Sequence, residues 1–129
     1  MMRLERPAMA KILIVDDDVQ ILRLLTLLLR REGHDVSTAE DPRDAFAMWS
    51  QPVSFDLILS DVDMPGMDGH ELARWVAARS PESRVMLMSA LDPDCQDCPY
   101  SPRCEFIRKP FHPKELVKQV AAALRPPAA

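Results

Sequence analysis

Ile12-Leu13-Ile14-Val15-Asp16-Asp17-Asp18 decides the fold. Four apolar residues in unbroken succession read as a strand covered on both faces, which is the condition of a parallel strand inside an α/β sheet. A strand with one wet face would alternate instead. The run stops at three carboxylates, and the arrangement returns along the chain: Leu57-Ile58-Leu59-Ser60 leads to Asp61, Val85-Met86-Leu87-Met88 to Ser89, and Phe106-Ile107 through Arg108 to Lys109. Open α/β sheets carry their chemistry at the C-terminal edge of the strands. Carboxylates, a hydroxyl and an amine from four distant parts of the chain are therefore expected in one pocket.

Helical patterns fill the intervals. Strands are expected at Lys11 to Val15, Val36 to Ala39, Leu57 to Ser60, Arg84 to Ser89 and Glu105 to Ile107, and helices at Val19 to Glu32, Pro42 to Ser50, Gly69 to Arg79 and Pro113 to Leu124. Local signals agree: Gly33 can end the first helix in a left-handed turn, Asp41-Pro42 starts the second with a cap and a first-turn proline, and Asp68 with Glu71 forms a capping box. Right-handed crossovers between parallel strands put helices on both faces of the sheet. Residues 1–9 are expected to be a flexible extension, 10–125 the folded domain, and 126–129, with Pro126-Pro127, a disordered tail.

With 129 residues the chain has the size of one domain. Its 16 basic and 20 acidic residues leave a net charge of -4, and the basic ones are scattered, which gives no support for direct nucleic-acid binding. No apolar run reaches the roughly 18 residues of a membrane span, and Met1 to Met9 lacks the apolar centre of a secretion signal. The expectation is a cytoplasmic protein.

The order and spacing of the four pieces, joined by Asp61-Val62-Asp63-Met64-Pro65-Gly66-Met67-Asp68-Gly69 and Lys109-Pro110-Phe111, resemble the receiver domain of two-component response regulators. The resemblance covers roughly residues 10 to 125. It implies a flavodoxin-like, doubly wound sheet of five parallel strands in the order 2-1-3-4-5, and a stand-alone receiver that takes a phosphoryl group from a sensor histidine kinase or phosphotransfer protein and switches a surface for a downstream protein, with a homodimer as a further option. Such a receiver promotes its own phosphoryl transfer and is not an enzyme in the usual sense.

A carboxylate attacks a phosphate poorly because both are negative, so the pocket must neutralise charge, and Mg²⁺ suits a site of carboxylates and a carbonyl. By the resemblance Asp61 is the acceptor, Asp17 and Asp61 bind the metal directly, Asp16 binds mainly through water, and Asp63 offers its backbone carbonyl. Lys109 pairs with the phosphoryl oxygens and Ser89 donates a hydrogen bond to one of them. Ser89 and Phe106 form the switch pair, and Lys109-Pro110 is expected to be cis. Asp18 and Asp68 read as helix caps and Asp56 lies at the far end of its strand, so none of these three is expected to be the acceptor. The side chain of Asp63 either tunes dephosphorylation or is a solvated loop acid.

Two features break the pattern. Pro99 and Pro102 deny residues 95 to 104 a continuous helix, so the fourth helix is expected to be short or irregular. The same segment holds every cysteine, Cys95, Cys98 and Cys104, and their reading stays open among free thiols, a Zn²⁺ or iron-sulfur site completed by Asp94, Asp97, His112 or another chain, and a Cys95-Cys98 disulfide. A binding module controlled by these thiols is the alternative function. A flavodoxin-like electron carrier is disfavoured, because the first loop is acidic where a flavin phosphate needs glycines and hydroxyls. In the first helix Ile21, Leu22, Leu25, Leu28 and Leu29 share one face, leaving Leu24 and Leu27 either as stray surface leucines or as contacts for the kinase. His34, His70 and His112 carry no positional signal, and Trp49 and Trp75 read as core.

Overall fold

The computed structural model describes residues 10–49, 55–61, 83–89 and 104–124, without the side chains of Pro42, Phe46, Trp49, Cys104, Glu105 and Phe106. Strands β1 (Lys11–Val15), β2 (Asp35–Ala39), β3 (Leu57–Asp61), β4 (Arg84–Ser89) and β5 (Cys104–Arg108) form one sheet in the order β2-β1-β3-β4-β5. Every neighbouring pair is parallel. Helix α1 (Val19–Arg31) follows β1, α2 (Pro42–Trp49) follows β2, and the C-terminal helix spans Pro113–Leu124.

Strand alternation divides the core. Ile12, Ile14, Leu57, Leu59, Met86, Met88 and Ile107 pack with Leu22, Leu25 and Leu29 of α1 and Leu116, Val120 and Ala123 of the C-terminal helix. Leu13, Val15, Ile58 and Leu87 alternate to the opposite face and are equally buried, as is Ala45 of α2. Burial on both sides is why these strands are written as unbroken apolar runs. Each fully buried leucine or isoleucine contributes roughly 1.5–3 kcal/mol relative to an exposed one.

The caps take the expected places. Asp18 Oδ1 accepts the N–H groups of Gln20 (2.9 Å) and Ile21 (3.4 Å), and Asp41 Oδ1 accepts that of Asp44 at 2.9 Å. Gly33 has φ 94°, and the His34 N–H returns to the Leu29 carbonyl at 3.2 Å, closing α1. A side chain at Gly33 would cost about 1–2 kcal/mol in that left-handed conformation. At the N-terminal edge of the sheet Asp56 Oδ2 accepts the Lys11 N–H at 2.8 Å, so this acid is structural.

Three strands differ from expectation at their ends, and α1 stops at Arg31 with Glu32 as its cap. β2 begins one residue early, at Asp35, which pairs with Lys11. β3 runs one residue further and takes in Asp61, which pairs with Met88. β5 gains Cys104 and Arg108 because β4 offers Val85 and Ser89 opposite them. The expectations for residues 1–9, the helix at 69–79 with Asp68 and Trp75, the segment 90–103 with Cys95 and Cys98, and the tail 126–129 lie outside the described residues.

Candidate functional site

The C-terminal edge brings four strands' ends together. Asp16, fully buried, directly follows β1, where its N–H donates to the Ala39 carbonyl at 3.1 Å. Its Oδ1 accepts the Asp18 N–H at 2.9 Å, which ties the acid to the residue that caps α1. Asp61 closes β3 and is 7% exposed. From the other side the Lys109 N–H donates to the Ser89 carbonyl at 2.8 Å, and Lys109–Pro110 is cis.

Lys109 Nζ crosses this space. It lies 3.0 Å from Asp16 Oδ2 and 3.5 Å from Asp61 Oδ1, a bond between residues at opposite ends of the chain. Burial by itself would lower the lysine pKa, but the hydrogen bond and charge of Asp16, joined by Asp61, outweigh it and hold the ammonium above its ordinary range. Lys109 is therefore a fixed positive charge between two carboxylates at neutral pH.

Carboxylate oxygens of Asp16, Asp17 and Asp61 all lie within 4.8 Å of one another. Opposite ligands of octahedral Mg²⁺ stand about 4.2 Å apart, so this donor set needs little movement to fit a hard cation of that size. Asp17 is exposed and gives the site an opening to solvent. The acids and the amine together can hold a divalent cation, present one carboxylate as a nucleophile and pair with a phosphoryl oxygen.

Comparison with known proteins agrees. The family model for the response regulator receiver domain matches residues 12–121. The chain belongs to that family. The receiver protein CpdR of Brucella abortus is 33% identical over 121 residues, covering 90% of this chain and 98% of that protein. The DNA-binding response regulator MtrA of Mycolicibacterium paratuberculosis is 39% identical over 116 residues, 89% of this chain and 51% of MtrA, so the chain spans about half the length of that relative. Among solved structures, TrrA of Thermotoga maritima in complex with Mg²⁺-BeF aligns with a TM-score of 0.77 at 30% identity, covering 90% of this chain and 100% of that one.

The phosphoacceptor role of response regulator receivers fits this arrangement, and receiver domains interact with histidine kinases or phosphotransfer proteins and are generally not classical enzymes. Of the residues expected in its pocket, Asp16, Asp17, Asp61 and Lys109 are gathered, and Ser89 ends the neighbouring strand, 5% exposed. Asp63 lies outside the described residues, and Phe106 is placed only by its backbone in β5. Cys104 begins β5, so four strand steps, about 13 Å, separate it from Arg108 and the pocket edge. His112 follows β5, and its Nδ1 accepts the Lys114 N–H at 3.2 Å. Among the described residues no helix is long and apolar enough to cross a membrane.

Ser60 escaped the sequence reading. Fully buried, its Oγ donates to the Asp61 carbonyl at 3.0 Å and so restrains the peptide that follows the acceptor. Its only sequence signal is a hydroxyl between the apolar run Leu57-Ile58-Leu59 and Asp61.

Proposed function

We propose that Asp61 accepts a phosphoryl group from a phosphohistidine on a sensor histidine kinase or phosphotransfer protein, and that the aspartyl phosphate alters a surface read by a downstream protein. The reading is carried by Lys109 Nζ, an ammonium aimed at both Asp16 and Asp61. An Asp61 carboxylate oxygen attacks phosphorus in line, the P–N bond breaks, and its electron pair leaves with the imidazole. Lys109 stays protonated throughout and moves its hydrogen bond from carboxylate to phosphoryl oxygen. Ser89 donates a second hydrogen bond there.

Asp16, Asp17 and Asp61, with the carbonyl of Asp63, would hold Mg²⁺. When bound, the ion neutralises charge on acceptor and donor so that they can approach. The switch is read as movement of Ser89 toward the phosphoryl group with inward turning of Phe106. The receiver is assigned residues 10–125, with 1–9 and 126–129 outside it, and a cytoplasmic site of action follows from its donors. The kinase is placed on a cleft of about 330 Å³ lined by Ile21, Leu24, Lys109, Pro110 and Phe111, because that cleft shares Lys109 with the pocket. Among the described residues nothing favours control through Zn²⁺, an iron-sulfur cluster or a disulfide at Cys95, Cys98 and Cys104.

Acetyl phosphate with Mg²⁺, read by intact mass, tests the acceptor. Asp61→Asn is expected to abolish the phosphoryl increment, and undiminished labelling of that variant would overturn the assignment.

A further inference from the structure

Leu24 and Leu27 sit three residues apart on α1, yet they face different concavities. Leu24 belongs to the cleft beside Lys109. Leu27 lies on the other flank of the helix, in a groove of about 580 Å³ formed by Val19, Arg23, Leu27, Arg30 and Arg31 of α1 with Thr38 of β2 and the adjoining Glu40. β2 is the edge strand, paired with β1 alone, so the groove runs along the border of the sheet.

An exposed leucine is ordinary by itself, although Leu27 at 60% is the most exposed large apolar residue described. Its company is not ordinary. Three arginines line the groove against one acidic residue, Glu40, and among the described residues none of the three is paired with an acid. Arg30 instead donates from Nη2 to the Val36 carbonyl at 3.4 Å. Arg30 and Arg31 in the last turn also suit the helix dipole, but Arg23, in mid-helix, gains nothing from it.

We infer that this groove docks a segment of a partner protein that presents a leucine-sized apolar side chain flanked by carboxylates. Charge complementarity selects that occupant. A second copy of the chain would bring the same three arginines face to face across a two-fold axis. The chain's own first nine residues carry Arg3 and Arg6 against Glu5, so they too are cationic. The site is separate from the kinase cleft and from the phosphorylation pocket, with which it shares no residue.

The test is titration of the full chain with two synthetic peptides of equal length, one alternating leucines with glutamates, the other with every glutamate replaced by lysine. Backbone amide NMR shifts are the readout. The glutamate peptide is expected to move residues 19–31 and 36–40 and to saturate, and the lysine peptide to move none of them. Arg23→Glu and Leu27→Ser should each weaken binding about tenfold, equivalent to about 1.4 kcal/mol, with Asp61 labelling by acetyl phosphate unchanged. Both side chains are exposed, so the variants keep the fold. Equal binding of the two peptides, or shifts confined to Ile21, Leu24 and Phe111, would overturn the proposal. So would groove shifts produced simply by deleting residues 1–9 or by raising protein concentration, which would give the groove to the chain itself.

Discussion

Replacing Lys109 by methionine keeps the length of the side chain and removes the ammonium that lies 3.0 Å from Asp16 and 3.5 Å from Asp61. At an effective dielectric constant of about 20, each contact has a gross Coulomb attraction of about 5 kcal/mol. Desolvation and side-chain ordering offset most of that. Removing one partner of a buried pair typically costs about 3–5 kcal/mol. Lys109 keeps 20% of its side chain exposed. A loss of about 2–3 kcal/mol is therefore expected in EDTA, measured by urea unfolding.

The deficit should depend on the cation. A divalent ion among Asp16, Asp17 and Asp61 replaces part of the missing charge, and a ligand that binds only the folded state stabilises it by mass action. In about 10 mM Mg²⁺ the loss should shrink by at least about 1 kcal/mol, while labelling by acetyl phosphate stays impaired. Because the lysine pKa is raised in the fold, its contribution is complete below the unfolded value and is lost only as pH rises through the higher folded value. Measurements at pH 7 thus see the whole effect. An identical deficit in EDTA and in Mg²⁺ would refute the idea that lysine and cation neutralise the same carboxylates.

Two further predictions concern residues away from the pocket. Triple substitution Cys95→Ser, Cys98→Ser, Cys104→Ser should leave the Asp61 labelling rate unchanged, since Cys104 starts β5 at the end far from Lys109; a large drop in rate would tie the thiols to the pocket. His34, 9% exposed, accepts the Ala10 N–H on Nδ1 at 3.3 Å, and burial lowers its pKa, partly opposed by Glu32. Its neutral form is the one the fold uses, so stability is complete above pH about 6.5 and falls as pH drops from there through the lower folded value, by about 1 kcal/mol for the hydrogen bond lost. His34→Asn should flatten that slope in urea unfolding, and an unchanged slope would place the titration elsewhere.

The sheet was legible because burial on both faces leaves its strands no polar alternation. The pocket was legible for the same reason: Asp16 and Ser89 are the first polar groups at the end of such runs, and Asp61 and Lys109 come one residue later, after Ser60 and Arg108. What could not be read were contacts that depend on packing across the sequence. Nothing local marks His34 as the acceptor for Ala10, 24 residues earlier, or Asp56 as the acceptor for Lys11, 45 residues earlier. Cys104 read as loop because strand ends are fixed by the neighbour, here Val85, and not by the residue's own propensity. Leu24 and Leu27 read as one surface because a helical wheel has no neighbours. Only the placement of Phe111 on one flank and of Thr38 on the other separates them.

That separation bears on how a signal leaves the pocket. On the proposed reaction, a phosphoryl group at Asp61 draws Lys109 away from Asp16, and Lys109 also lines the cleft with Ile21 and Leu24. Asp16 in turn holds the N–H of Asp18, the cap of α1. A partner seated at Leu24 therefore touches a residue whose position the phosphoryl group resets, and its affinity is coupled to phosphorylation by direct contact. A partner seated at Leu27 touches none of these groups. Coupling to that groove runs indirectly, through displacement of α1, whose Leu22, Leu25 and Leu29 are locked into the core, or through the Asp16 N–H bond to the Ala39 carbonyl between Thr38 and Glu40, so the groove suits a partner held in both states of the receiver.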